Sequence, residues 1–205
     1  MKCGAIVLCG GHSRRMGRDK ATLTFGPELM LQRVVRILNE VVDHSTIVVV
    51  AAQGQILPEL PATVIISRDE LPDRGPLEGL AAGFRSMPES VEAVYATSCD
   101  VPLLKPEFIR EMFNRLGEAD IAVPFDGQFH HPLAAVYRLQ VLPALQSLLT
   151  ADRLKTALLF DEVCTTEVPV DSLRTIDPTL SSLVNCNHPQ DYEAALLAAF
   201  LTARG

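Results

Sequence analysis

A run of apolar residues, Cys3–Leu8, ends at two adjacent glycines, Gly10 and Gly11, and four cations follow against one carboxylate. The run has the length and composition of a strand buried on both faces. The glycines let the backbone turn sharply and come close to a bound group. Arg14, Arg15, Arg18 and Lys20 then crowd around Asp19. Free N–H groups at a strand end, together with cations, are what a polyphosphate needs. The plainer alternative is a surface turn whose arginines face water, and a lone Gly-Gly pair fits it as well.

The spacing excludes the two commonest phosphate loops. A P-loop carries Lys directly after its last Gly and a Ser or Thr next. Here Arg18 and Asp19 separate Gly17 from Lys20, and Ala21 stands where the hydroxyl would be. The dinucleotide fingerprint GxGxxG is absent as well.

Further along, strand-length apolar runs alternate with helical patterns. Gly26-Pro27 reads as the opening of a helix, with Pro in its first turn and Met30, Val34, Ile37, Leu38 and Val41 on one face. Residues 47–52, 63–66, 91–98, 121–125 and 163–168 read as strands, and residues 128–137 as extended chain carrying His130 and His131. Residues 77–87, 105–116, 140–149, 154–160 and 190–203 read as helices. This alternation predicts an α/β fold: a mostly parallel sheet covered on both faces, joined by right-handed crossovers. No internal repeat or low-complexity segment interrupts it. The expectation is one domain over residues 1–205, with a nucleotide-binding half at about 1–127 and a second-substrate half at about 128–205.

Composition narrows the function classes. A chain of 205 residues, 48% hydrophobic, holds a sizeable core. Net charge is −7, so nothing global attracts nucleic acid or a membrane, and an anionic ligand depends on the local cations. No apolar run approaches the ~18 residues of a membrane span. The five cysteines are scattered without CxxC spacing, which argues against a zinc site or a disulfide framework. The N-terminus makes a poor signal peptide, and the expected compartment is the cytoplasm.

In an open parallel sheet, ligands bind beyond the carboxyl ends of the strands. Asp100 closes the strand at 91–98 there, and a hard oxygen donor facing phosphates is a candidate Mg²⁺ ligand. The alternative is a turn Asp before Pro102. Cys9 and Cys99 should border the same site, where Arg15 and Lys20 would favour a thiolate for whichever sulfur points their way, strand alternation leaving open whether both do.

The thirteen residues from Leu8 to Lys20 resemble the signature LxGGxSxRMGxDK of nucleotidyltransferases that activate small phosphorylated substrates. They are most similar to the molybdenum cofactor guanylyltransferases (MobA type). The resemblance implies a Rossmann-like three-layer sandwich of the nucleotide-diphospho-sugar transferase kind. It implies transfer of GMP from GTP to the terminal phosphate of molybdopterin, with Mg²⁺ and release of pyrophosphate. It gives Arg15, Lys20 and Asp100 catalytic roles, with Asp100 on the metal. Leu8, Cys9, Gly10, Gly11, Asp69, Gly75, Pro76 and Leu77 would join Lys20 and Asp100 around the nucleotide, the last three from a GPLxGL-like element at 75–80. His131, within an HPL-like element, and Asn185 and Asn187, within an NxNTPED-like one, would face the second substrate. Cofactor-biosynthesis or acceptor proteins would be transient partners.

Three positions depart from the pattern. His188 replaces Thr, Cys9 replaces Ala, and Ala51 or Ala52 stands where an Asn often lies near the base, with Gln53 as a substitute. The same chemistry would serve a molybdopterin cytidylyltransferase or a sugar-phosphate or phospholactate nucleotidyltransferase. A nucleotide-binding module without turnover is the rival of another class, against which the joint presence of Lys20 and Asp100 speaks.

Overall fold

The computed structural model describes residues 1–10, 19–69 and 74–202. Gly11, Arg14, Arg15 and Arg18 of the cationic loop lie outside the described residues.

The described residues form nine strands: β1 (Cys3–Leu8), β2 (Thr24–Phe25), β3 (Glu28–Leu29), β4 (Ile47–Ala51), β5 (Ile65–Arg68), β6 (Ala93–Ser98), β7 (Ile121–Phe125), β8 (Ala134–Arg138) and β9 (Thr165–Pro169). Seven of them make one sheet in the order β5-β4-β1-β6-β8-β7-β9. β1 pairs in parallel with β4 and β6, and β4 with β5. β8 runs antiparallel between β6 and β7, and β9 returns parallel to β7. The sheet is thus mostly parallel, as the alternating pattern predicts.

Successive side chains on β1 supply two cores. Ala5 and Val7 face the layer of α1 (Met30–Asn39) and α3 (Pro106–Leu116). Ile6 and Leu8 face the layer of α2 (Gly75–Ser86), α4 (Leu142–Thr150) and α5 (Ala157–Glu162). This period of two on a strand buried on both faces makes β1 the spine of the molecule. The small residues of α2 set how closely that layer approaches. A Cβ at Gly83 would lie 2.7 Å from Cγ2 of Ile6, and one at Gly79 would lie 3.2 Å from Leu8.

After β9 comes the short α6 (Val170–Leu173), and then α7 (Pro189–Thr202), which closes the chain against Phe25, Met30 and Cys186. None of the described helices is long and apolar enough to cross a membrane.

Among the element boundaries that differ from the sequence reading, three have a clear local cause. Gly26-Pro27 is a hairpin turn and not a helix start: Thr24 pairs with Leu29, Phe25 with Glu28, and Gly26 takes φ +65°. The two-residue turn with Gly first satisfies a hairpin better than Pro at a helix start. α1 therefore begins at Met30. The third strand of the sequence reading lies at 65–68, because Val64 N–H bonds to the Pro61 carbonyl and draws 61–64 into a turn. In the stretch at 128–137 only β8 is regular. Before it, the Asp126 carboxylate accepts from the N–H groups of Gln128 and Phe129 and folds a turn.

Candidate active site

The carboxyl ends of β1 and β6 lie side by side, with Leu8 opposite Ser98. Two bonds extend the ladder past the strand ends, Cys9 N–H to the Val50 carbonyl at 2.8 Å and Cys99 N–H to the Leu8 carbonyl at 3.0 Å. Gly10 follows at the lip. A Cβ there would lie 3.3 Å from Ala52 N, so glycine lets this turn lie close against the loop after β4.

Asp100, one residue beyond Cys99, is buried, and each of its oxygens has a different set of partners. Oδ1 accepts from the Ser98 hydroxyl at 2.5 Å and from Asn185 Nδ2 at 2.8 Å. Oδ2 faces Lys20 Nζ at 2.6 Å. Lys20 also donates to Asn187 Oδ1 at 2.9 Å. Cys186 N–H, between the two asparagines, bonds to the Asp100 carbonyl at 2.9 Å. A buried carboxylate is tolerated only when paired and hydrogen-bonded, and Asp100 has both kinds of partner.

Local chemistry holds each contributor. Asp19 caps the short turn that opens at Lys20, its Oδ1 accepting from Ala21 N–H at 2.9 Å. The 185–187 segment returns to the site from an anchor near the start of α3. There buried Asp177 pairs with Lys105 Nζ at 2.8 Å and accepts from Ser182 N–H at 2.8 Å. Burial opposes ionisation of Asp177, but the Lys105 bond and the Ser182 N–H outweigh it and hold the carboxyl below its ordinary range.

Of the candidates named from the sequence, Leu8, Cys9, Gly10, Lys20, Asp100, Asn185 and Asn187 come together at this strand end. Gly11 and Arg15 lie outside the described residues. Asp69 follows β5, its N–H bonded to the Ala51 carbonyl at 2.9 Å, two strands away from β1. Gly75 opens α2 with φ +72°, followed by Pro76 and fully buried Leu77. His131 sits on the β7–β8 connection with Nε2 3.5 Å from Asp126 Oδ2. His130 stacks between Phe125 and Phe160 and bonds to Glu167, the arrangement of a structural histidine.

Two residues of the site escaped the sequence reading. Ser98 precedes Asp100 by two on β6, a position where a strand serine carries no signal. Gln55, and not exposed Gln53, donates to the Cys9 carbonyl and to Asp19. A glutamine in a loop is ordinary, and only its contacts single it out.

Cys9 departs from the expectation of a thiolate. Burial raises Cys9 well above its ordinary range, and Cys99, Asp19 and Asp100 add to the effect. Cys186 is pushed up to about 12 by burial and then by Asp100. Desolvation leads in both, and the carboxylates outweigh the opposing effect of Lys20 at Cys186.

Among the described residues no three His, Cys, Asp or Glu side chains cluster as a metal cage. Asp100 offers a hard oxygen donor, with its other oxygen fixed by neutral donors. That donor set suits a magnesium ion whose other ligands are water and phosphate oxygens.

The sequence model of the MobA-like NTP transferase domain matches residues 5–165. A "Probable molybdenum cofactor guanylyltransferase" of Mycobacterium tuberculosis (strain H37Rv) is 37% identical over 187 residues, spanning 89% of this chain and 87% of its own. The crystal structure of molybdopterin-guanine dinucleotide biosynthesis protein A from Archaeoglobus fulgidus superposes with a TM-score of 0.77 at 21% identity. The match covers 97% of this chain and 98% of that one. A 2-C-methyl-D-erythritol 4-phosphate cytidylyltransferase from Thermus thermophilus shares the fold with a TM-score of 0.67 at 14% identity, over all of both chains. The α/β architecture is that of the nucleotide-diphospho-sugar transferases. With a family match over most of its length, this chain belongs to the MobA-like NTP transferases and is a nucleotidyltransferase.

Proposed function

We propose that the chain transfers GMP from GTP to the terminal phosphate of molybdopterin, forming molybdopterin guanine dinucleotide and releasing pyrophosphate. The single observation that carries this reading is the Lys20–Asp100 pair, set where β1 and β6 end together. A cation for phosphate and a carboxylate for metal stand side by side at the place where an open parallel sheet binds ligands. The name of the relatives, molybdenum cofactor guanylyltransferase, supports this choice of substrates.

The attacking oxygen already belongs to a phosphate dianion, so neither a nucleophilic side chain nor a general base is required. It bonds to the α-phosphorus of GTP as the bond from that phosphorus to the β-bridging oxygen breaks, and that oxygen leaves on pyrophosphate. The protein's contribution is positioning and charge neutralisation. Lys20, and Arg15 from the sequence pattern, neutralise the triphosphate. Backbone N–H groups at Gly10 and Gly11 approach the phosphates. Asn185 and Ser98 hold Oδ1 of Asp100, so Oδ2 is the oxygen left for a cation. Bound Mg²⁺, held by Asp100, would polarise the α-phosphoryl group. Asp69 and Gly75 to Leu77 are proposed for the nucleoside side, and His131 for the pterin side.

The test is pyrophosphate release with molybdopterin and Mg²⁺, offering GTP, CTP, ATP or UTP in turn, with the dinucleotide identified by mass. Turnover confined to GTP is the expected result. Turnover with CTP alone would make the enzyme a cytidylyltransferase, and tight nucleotide binding without pyrophosphate would make it a binding module.

A further inference from the structure

Gln55 lies in the loop after β4 and is absent from every role given above. Among the described residues its amide bonds to three separate parts of the chain. Oε1 accepts from Ala52 N–H at 3.0 Å, while Nε2 donates to the Cys9 carbonyl at 3.3 Å and to Asp19 Oδ2 at 2.8 Å. Cys9 and Asp19 flank residues 10–18 in the chain, so one side chain ties both ends of the glycine-cation stretch. The other oxygen of Asp19 caps the turn that begins at Lys20. The loop that carries Gln55 is itself held, because Arg68 at the end of β5 donates to the Ala52 carbonyl at 2.9 Å and to the Gln55 carbonyl at 2.8 Å.

We infer that Gln55 is a positioning residue for the nucleotide: through Asp19 it holds Lys20 at the strand end, and it sets the separation of Cys9 from Asp19. The inference rests on the reading of Lys20 as a triphosphate ligand. The chemistry requires a donor at position 55, since both targets of Nε2 are acceptors. An ionised glutamate of the same shape would face a carboxylate and a carbonyl with no proton to offer. Once protonated, it regains one donor.

The test compares wild type, Gln55→Glu, Asp19→Asn and the double variant Asp19→Asn/Gln55→Glu, by equilibrium binding of a fluorescent GTP analogue with Mg²⁺ from pH 5.5 to 8. Gln55→Glu should weaken binding about tenfold at pH 8, the scale of one coupled contact, and the deficit should shrink as pH falls. In the double variant the amide introduced at position 19 donates to the carboxylate introduced at position 55, reversing the bond. Binding should then recover relative to Gln55→Glu. A role in folding alone would lower the melting temperature and leave the affinity deficit independent of pH, which would overturn the inference. So would wild-type affinity in Gln55→Glu at pH 8, or losses in the double variant that simply multiply. If wild type binds the analogue but Lys20→Ala binds it equally well, the reading of Lys20 fails and the inference falls with it.

Discussion

The Lys20 ammonium lies 2.6 Å from Oδ2 of Asp100, so the cation assigned to phosphate and the carboxylate assigned to metal are each other's partners. On the proposed reading, productive binding would exchange partners on both sides: phosphate oxygens would take Lys20, and a divalent cation would take Oδ2. Unit charges about 4 Å apart interact by about 4 kcal/mol at an effective dielectric of 20, and this pair is closer still, so the internal pair competes with a metal. Lys20→Met should accordingly bind Mn²⁺ about tenfold more tightly than wild type without nucleotide, measured as free Mn²⁺ by electron paramagnetic resonance. It should also lose about 10²–10³ in turnover, the scale of one transition-state electrostatic contact. Unchanged Mn²⁺ affinity would mean that Lys20 does not screen Asp100.

Asn185 acts on the same carboxylate from the other side, donating to Oδ1 of Asp100 at 2.8 Å. Partners that orient a metal-binding group typically matter by about 10–100-fold in affinity or activity. Asn185→Ala should raise the Mg²⁺ concentration needed for half-maximal turnover by about tenfold, with a smaller change in maximal rate at saturating metal. An equal fall in rate at every Mg²⁺ concentration would place Asn185 on the substrate and not on Asp100.

The Lys105–Asp177 pair anchors the segment that delivers Asn185 and Asn187. Asp177 is held below the ordinary carboxylate range, so its contribution to stability is complete above its unfolded value near pH ~3.9 and is lost as pH falls through the lower folded value. Asp177→Asn should cost about 1–3 kcal/mol at pH 7, a buried acceptor's share of a charged hydrogen bond. The gap from wild type should narrow below about pH 4. Urea unfolding of both proteins from pH 3 to 7 gives the two curves, and a gap that stays constant across that range would contradict the assignment.

Cysteine accessibility gives a check on the core. Cys164 is exposed, whereas Cys9, Cys99 and Cys186 are buried, with Cys9 and Cys186 raised well above the ordinary thiol range. A timed iodoacetamide pulse at pH 7.5, read by peptide mass spectrometry, should modify Cys164 first and the three buried thiols far more slowly. Labelling of Cys9 at the rate of Cys164 would mean that the β1 turn opens readily, contrary to the packing seen.

The central strands and the place of the site were legible because their signals are local. Unbroken apolar runs at 3–8, 47–51 and 121–125 leave no polar face for water, so they become strands buried on both sides. A glycine turn after the first and an aspartate after another mark strand ends on the ligand side of a parallel sheet. Weaker local signals misled: Gly26-Pro27 suits either a hairpin turn or a helix start, and the pairing of Thr24 with Leu29 decided between them. The resemblance marked Asn185 and Asn187 as site residues facing the second substrate, but their bonds to Asp100 and Lys20 were not legible. Asn185 lies 85 residues from Asp100, and Asn187 lies 167 from Lys20, and no periodicity spans such distances. A hydrogen bond needs its atoms within about 3 Å and aligned, a condition set by how α7 and the Asp177 anchor pack and not by any residue type. The sequence by itself therefore determined the sheet and the chemical character of its carboxyl edge. Only the tertiary structure decided which oxygen of Asp100 faces Lys20, and which amide, Gln55, bonds both Cys9 and Asp19.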